Sequence, residues 1–156
     1  MISYIEAVDR LVDAALKYIN CPYVWRGKGP VLWSMTGPVA HPFLGNVFDC
    51  SGLWTRALLD AGGPNWTMTH STETLRQSGE REYPPGGYGT FHFFGRNGKA
   101  THVELCLDHG LFFGAAGGDE TTTAPKAGAF VMIHRVRRMD FLEAVRLPLD
   151  HLIVER

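Results

Sequence analysis

The apolar rhythm of this chain changes once, and that change limits the folds open to it. Ile5, Val8, Leu11, Val12, Ala15, Leu16 and Ile19 recur at helical spacing. Ser3 stands before them with Glu6 three residues on, a capping-box pattern, and Pro22 closes the run, which predicts a first helix over 3–20. Leu53, Trp54, Ala57, Leu58 and Ala61 repeat the helical pattern and stop at Gly62-Gly63, and a shorter helix fits 71–79. From Thr90 onward the spacing moves towards two. Strands are expected over 90–94, 101–107, 111–116 and 129–136, with a short last element over 141–147 and a hairpin turn at Asp108-His109-Gly110. Helices followed by a strand meander predict an α+β class, with N-terminal helices packed on an antiparallel sheet. Residues 26–47 are rich in Gly and Pro and read as a long loop bordering a site. The length of 156 residues suits one domain, 1–156, and no internal repeat is visible.

Fifteen Lys and Arg against sixteen Asp and Glu leave a formal charge of −1, which gives no support for nucleic-acid binding. The Arg135-Val-Arg137-Arg138 cluster is short and reads as a solvated strand end. No stretch is long and apolar enough to span a membrane. Glu6, Asp9, Arg10 and Asp13 near the start do not read as a signal peptide, so action outside the cytoplasm would need another carrier. The three cysteines form neither a disulfide framework nor a CxxC site, and the seven histidines form no HExxH array. Neither a metal nor a cofactor is expected.

The stretch Phe48-Asp49-Cys50-Ser51-Gly52-Leu53-Trp54 carries the chemistry. Asp49 suits an N-cap, which puts Cys50 in the first turn of the second helix. Unpaired N–H groups and the positive end of the helix dipole favour a thiolate there, and the thiolate is the nucleophilic form. Such a nucleophile needs a proton acceptor that later serves as a donor, and histidine is the usual choice. Of the seven, His102 is best placed, near the start of an otherwise apolar strand.

Pro22-Tyr23-Val24-Trp25-Arg26-Gly27, Phe48-Asp49-Cys50-Ser51-Gly52-Leu53, Phe93-Phe94-Gly95 and Thr101-His102-Val103-Glu104-Leu105 resemble the NlpC/P60 cysteine peptidases in order and spacing. The end of the chain, 136–147, resembles phage-encoded members. The resemblance implies a papain-like core and cleavage of peptidoglycan stem peptides, typically between D-glutamate and diaminopimelate. It implies Cys50 as nucleophile, His102 as base and acid, and Tyr23 as a hydroxyl close to the cysteine. Asp49, Ser51 and Trp25 would line the substrate groove, with Asp49 able to pair with a free amine of the stem peptide. A phage tail or a secretion apparatus would deliver such a protein to the wall.

Three departures from the family pattern matter. The residue that orients the base falls on Gly114, which has no side chain for the task. Glu104 stands where a small residue is usual, and strand alternation puts it on the face of His102. Glu104 is therefore expected to reach over Gly114 and hold the imidazole, with Asp108 and Asp119 as weaker substitutes in turns. Thr90 replaces the usual start of a strand, and the 28–47 segment is long enough to wall the groove. Two other readings stay open: a catalytically degenerate domain that binds wall peptide or serves a phage tail, and a papain-like amidase or acyltransferase with another substrate.

Overall fold

The computed structural model describes residues 1–136 and 138–154. Arg137 of the basic cluster and the last two residues of the expected 1–156 domain lie outside the described residues.

Helix α1 spans Tyr4–Leu16. The Ser3 hydroxyl accepts from the Glu6 N–H at 3.1 Å, while the Glu6 carboxylate turns to Arg10 instead of completing the box. The buried face is Ala7, Val8, Leu11, Ala14 and Ala15, and Ile5 and Leu16 are exposed. The face is rotated from the expected one because small alanines let α1 approach α2 (Cys50–Asp60). The helix stops four residues short of the expected end, and Asn20 takes a positive φ before Pro22.

The 26–47 segment is not a loop. β1 (Lys28–Gly29) pairs with β4 (Val47–Phe48), and β2 (Val31–Ser34) forms a hairpin with β3 (Gly37–Ala40). These pieces are too short to show alternation, and Pro38 in β3 argues against a strand unless the strand is an edge, which this one is. α3 (Thr72–Arg76) is capped by Ser71.

The main sheet has six strands in the order β5-β10-β6-β7-β8-β9, all antiparallel. They are β5 (Glu80–Glu82), β6 (Phe91–Arg96), β7 (Lys99–Asp108), β8 (Leu111–Ala116), β9 (Phe130–Arg135) and β10 (Phe141–Arg146); a last short helix, α4 (Leu149–Leu152), packs on α1. β6 and β7 run further than expected because Asn97 and Gly98, both with positive φ, make the two-residue turn that an antiparallel hairpin favours. The last strand is not peripheral: it returns to lie between β5 and β6. β5, three charged residues long, carries no apolar signal of its own.

The core lies between the helices and the sheet. Trp54 of α2 meets Phe91 and Phe113 edge-on, at 5.4 and 5.3 Å between ring centres. Full burial of such side chains contributes about 1.5–3 kcal/mol each. This packing holds the start of α2 against β7, where the candidate site lies.

Candidate active site

Cys50 is the first residue of α2. The cap sets this position: the Asp49 carboxylate accepts from the Gly52 N–H at 2.7 Å. Helix starts leave their first N–H groups without intrahelical acceptors, so the Cys50 N–H is available to a ligand. Gly52 must lack a side chain, because a Cβ would lie 1.9 Å from the Gly27 carbonyl oxygen. A Cβ on Gly27 would in turn meet the Val47–Phe48 backbone at 2.7 Å. Two glycines thus let the β1–β4 ladder close on the first turn of α2.

His102 is aimed by a β-bulge. Phe94 pairs with His102 and Gly95 with Ala100, so Thr101 is an extra residue on β7. Bulges bend a strand and re-aim the side chain beside them. The Thr101 carbonyl comes 3.7 Å from Cys50 Sγ. Gly95 permits the bulge, since a Cβ there would lie 1.9 Å from the Lys99 carbonyl oxygen.

Glu104 lies two residues along β7 and is buried. Its Oε2 is 3.1 Å from His102 Nε2, and its Oε1 is 2.5 Å from Nε2 of His134 on β9. A Cβ on Gly114 would sit 2.7 Å from Glu104 Cγ and 2.9 Å from Oε1. The space left by the missing side chain on β8 is therefore filled by a carboxylate from β7. Asp108 and Asp119 are turned to neighbouring turn groups, His109 N–H and Thr121 respectively.

The electrostatics favour charge separation. Burial pushes the Cys50 thiol up, but the hydrogen bond and charge of His102, helped by the Thr72 hydroxyl at 3.3 Å, bring it below its ordinary value. Burial pushes His102 down, and the hydrogen bonds and charges of Cys50 and Glu104 outweigh it, holding His102 up to about 9. Burial pushes Glu104 up, and His102 and His134 reverse this. With Nε2 turned to Glu104, Nδ1 is the nitrogen left for the sulfur. The arrangement is suited to a thiolate–imidazolium pair backed by a carboxylate.

Tyr23 is buried, with its ring against Gly118, where a Cβ would come within 2.2 Å. Burial first, then the charges of Cys50 and Asp49, raise its phenol far above the ordinary value, so it remains a donor. The backbone N–H of Trp25 donates to the Thr122 carbonyl at 2.7 Å, and the residue lines the cleft. Asp49 and Ser51 also line it, but Asp49 already holds an ammonium: Lys28 Nζ lies 2.9 and 3.1 Å from its two oxygens and 3.1 Å from Ser51 Oγ.

These groups open into a cleft of about 590 Å³, bordered also by Trp33 of β2, Met68, His70, Thr72 and Arg138. The Trp33 indole N–H donates to the Met68 carbonyl at 3.2 Å, which fixes the β2–β3 hairpin as one wall. Sequence reasoning missed Lys28, Thr72 and His134. The first two carry no motif signal. His134 becomes a neighbour of Glu104 only through the pairing of β7, β8 and β9. Among the described residues, no group of three or more His, Cys, Asp or Glu has the arrangement to hold a metal ion.

The model of the NlpC/P60 family matches residues 20–138. This chain belongs to the NlpC/P60 family. Its fold is similar to the P60 domain of an antigen from M. avium subspecies paratuberculosis, with a TM-score of 0.68 and 21% identity over 94% of this chain and 98% of that one. It is also similar to the peptidoglycan hydrolase RipB from Mycobacterium tuberculosis, with a TM-score of 0.64 and 20% identity over 92% of this chain and 66% of that one. RipD from the same organism, described as a non-catalytic NlpC/p60 domain protein adapted to peptidoglycan binding, has a TM-score of 0.62 and 23% identity over 90% and 96%. No curated protein matched the sequence. NlpC/P60 folds thus occur both with and without catalysis, and the residues at the cleft must decide between them.

Proposed function

We propose that this NlpC/P60 protein is a cysteine peptidase that cleaves peptidoglycan stem peptides, at the bond between D-glutamate and diaminopimelate. The observation that carries the reading is the chain of contacts from Cys50 through His102 to the buried Glu104. A binding domain gains nothing from a buried carboxylate aimed at an imidazole beside a helix-start thiol, and leaving charges there costs stability.

In this reading the Cys50 thiolate attacks the scissile carbonyl carbon. The oxyanion receives hydrogen bonds from the Cys50 N–H and the Tyr23 hydroxyl. The C–N bond breaks as His102 gives the Nδ1 proton to the leaving amine, which yields a thioester on Cys50. Neutral His102 then takes a proton from water, whose oxygen attacks the thioester, and the thiolate–imidazolium pair is restored. Glu104 holds the ring and favours its charged form. Trp25 and Ser51 line the groove for the peptide.

Alkylation with iodoacetamide at pH 7 tests the nucleophile. Burial pushes Cys21 and Cys106 up, so Cys50 should react at least tenfold faster than either, following thiolate fraction. Equal rates at the three cysteines would remove the support for an activated thiol.

A further inference from the structure

We infer that Lys28 is a specificity residue: its ammonium occupies the place where a substrate cation would meet Asp49, so the cleft takes acidic peptides whose N-terminal side is acylated. The inference rests on the proposed peptidase and names the form of peptide it takes.

Asp49 is the carboxylate next to the nucleophile in sequence, and it lines the cleft. Left open, it would attract a free amine. Instead both its oxygens are occupied. Oδ1 accepts from Gly52 N–H and from Lys28, and Oδ2 accepts from Lys28. Lys28 spends a further donor on Ser51. Lys28, Asp49 and Ser51 are 5%, 7% and 4% exposed, so the cluster is nearly closed to water. Lys28 cannot easily withdraw, because β1 pairs it with Phe48 and the glycines on either side are packed against their neighbours. An amine that displaced it would strand a buried charge, at a cost of roughly a hundredfold or more in the equilibrium.

The other charges along the cleft agree. Glu73 is committed to Arg76 and to the Ala100 N–H. Asp119 and Glu120 stand at the exposed rim. Arg26 is exposed on the cleft, makes no ion pair among the described residues, and lies over Trp33 at 5.7 Å. Within the cleft Asp49 and Glu73 are thus both committed, Arg26 and Lys99 have no ion partner among the described residues, and the remaining carboxylates, Asp119 and Glu120, stand at the rim. That suits a peptide with carboxylates whose amino end is still held in an amide. The enzyme would act before any reaction that frees that amine.

The test compares L-Ala-γ-D-Glu-meso-diaminopimelate with its N-acetyl form on the same protein sample, so the ratio does not depend on the folded fraction. The wild type should cleave the acetylated peptide at least as fast, by kcat/KM, as the free one. Lys28→Met should move the ratio about tenfold or more towards the free amine, which would then meet the vacated Asp49. A wild type that prefers the free amine tenfold, or an unmoved ratio in Lys28→Met, overturns the role of Lys28 and leaves the peptidase standing. Cleavage of neither peptide, with no binding of either to Cys50→Ala, overturns both.

Discussion

Glu104 fills room that a glycine leaves on a different strand. The acid sits on β7, and the room it needs is on β8 at Gly114, where any side chain would meet it. Two variants probe this from opposite sides. Glu104→Gln keeps the shape and removes the charge; a hydrogen bond to a charged partner contributes about 1.5–3 kcal/mol, so kcat/KM should fall about 10- to 100-fold. The alkaline limb of the pH–rate profile should move down from about 9, because His102 loses part of what holds its proton. Gly114→Ala should push the carboxylate out of place and give a similar loss, with about 1–3 kcal/mol of stability. Unchanged profiles in both would mean that Glu104 does not act on His102. At this scale Cys50 was legible, since a cap and a helical period are local signals. The family resemblance pointed to Gly114, and strand alternation with a hairpin turn pointed to Glu104. Lys28 and His134 were not, because each reaches its partner through pairing that no local pattern encodes.

At the scale of elements, the hairpin of β2 and β3 is the piece the sequence hid best. Its Gly and Pro content reads as loop and hides the paired strands, while the expected place as a wall of the cleft is where it stands, latched by Trp33 to Met68. The bulge at Thr101 was equally hidden, though it places His102. Trp33→Ala should release the latch and the ring under Arg26 without touching the thiol. Loss of one such hydrogen bond is worth about 1 kcal/mol, so KM should rise about fivefold with kcat nearly unchanged. A fall in kcat at constant KM would show that the hairpin instead shapes the reacting groups.

Across the whole molecule, the order of helices before strands fixed the class, because period and chain order survive in the sequence. The position of β10 in the sheet did not, since it is a return pairing over a long stretch of chain. Stability should depend on pH through the same buried groups. His102 is raised when folded, so its contribution is complete below its ordinary value and is lost as pH rises through about 9. Glu104 is lowered when folded, so its contribution is present above its ordinary value and is lost as pH falls through the folded one. Melting temperature should therefore be highest between these limits. In Cys50→Ala, His102 loses a partner, and the alkaline decline should begin at lower pH. An identical alkaline edge in wild type and Cys50→Ala would show that the two residues are not paired.

In the proposed function the Cys50–His102–Glu104 chain cuts wall peptide. Purified peptidoglycan digested with the wild type and with Cys50→Ala, followed by mass spectrometry of the soluble products, tests it most directly. Stem peptides cut between D-glutamate and diaminopimelate should appear in the wild-type digest alone. The same product masses from both proteins, or no new product from either, would contradict it.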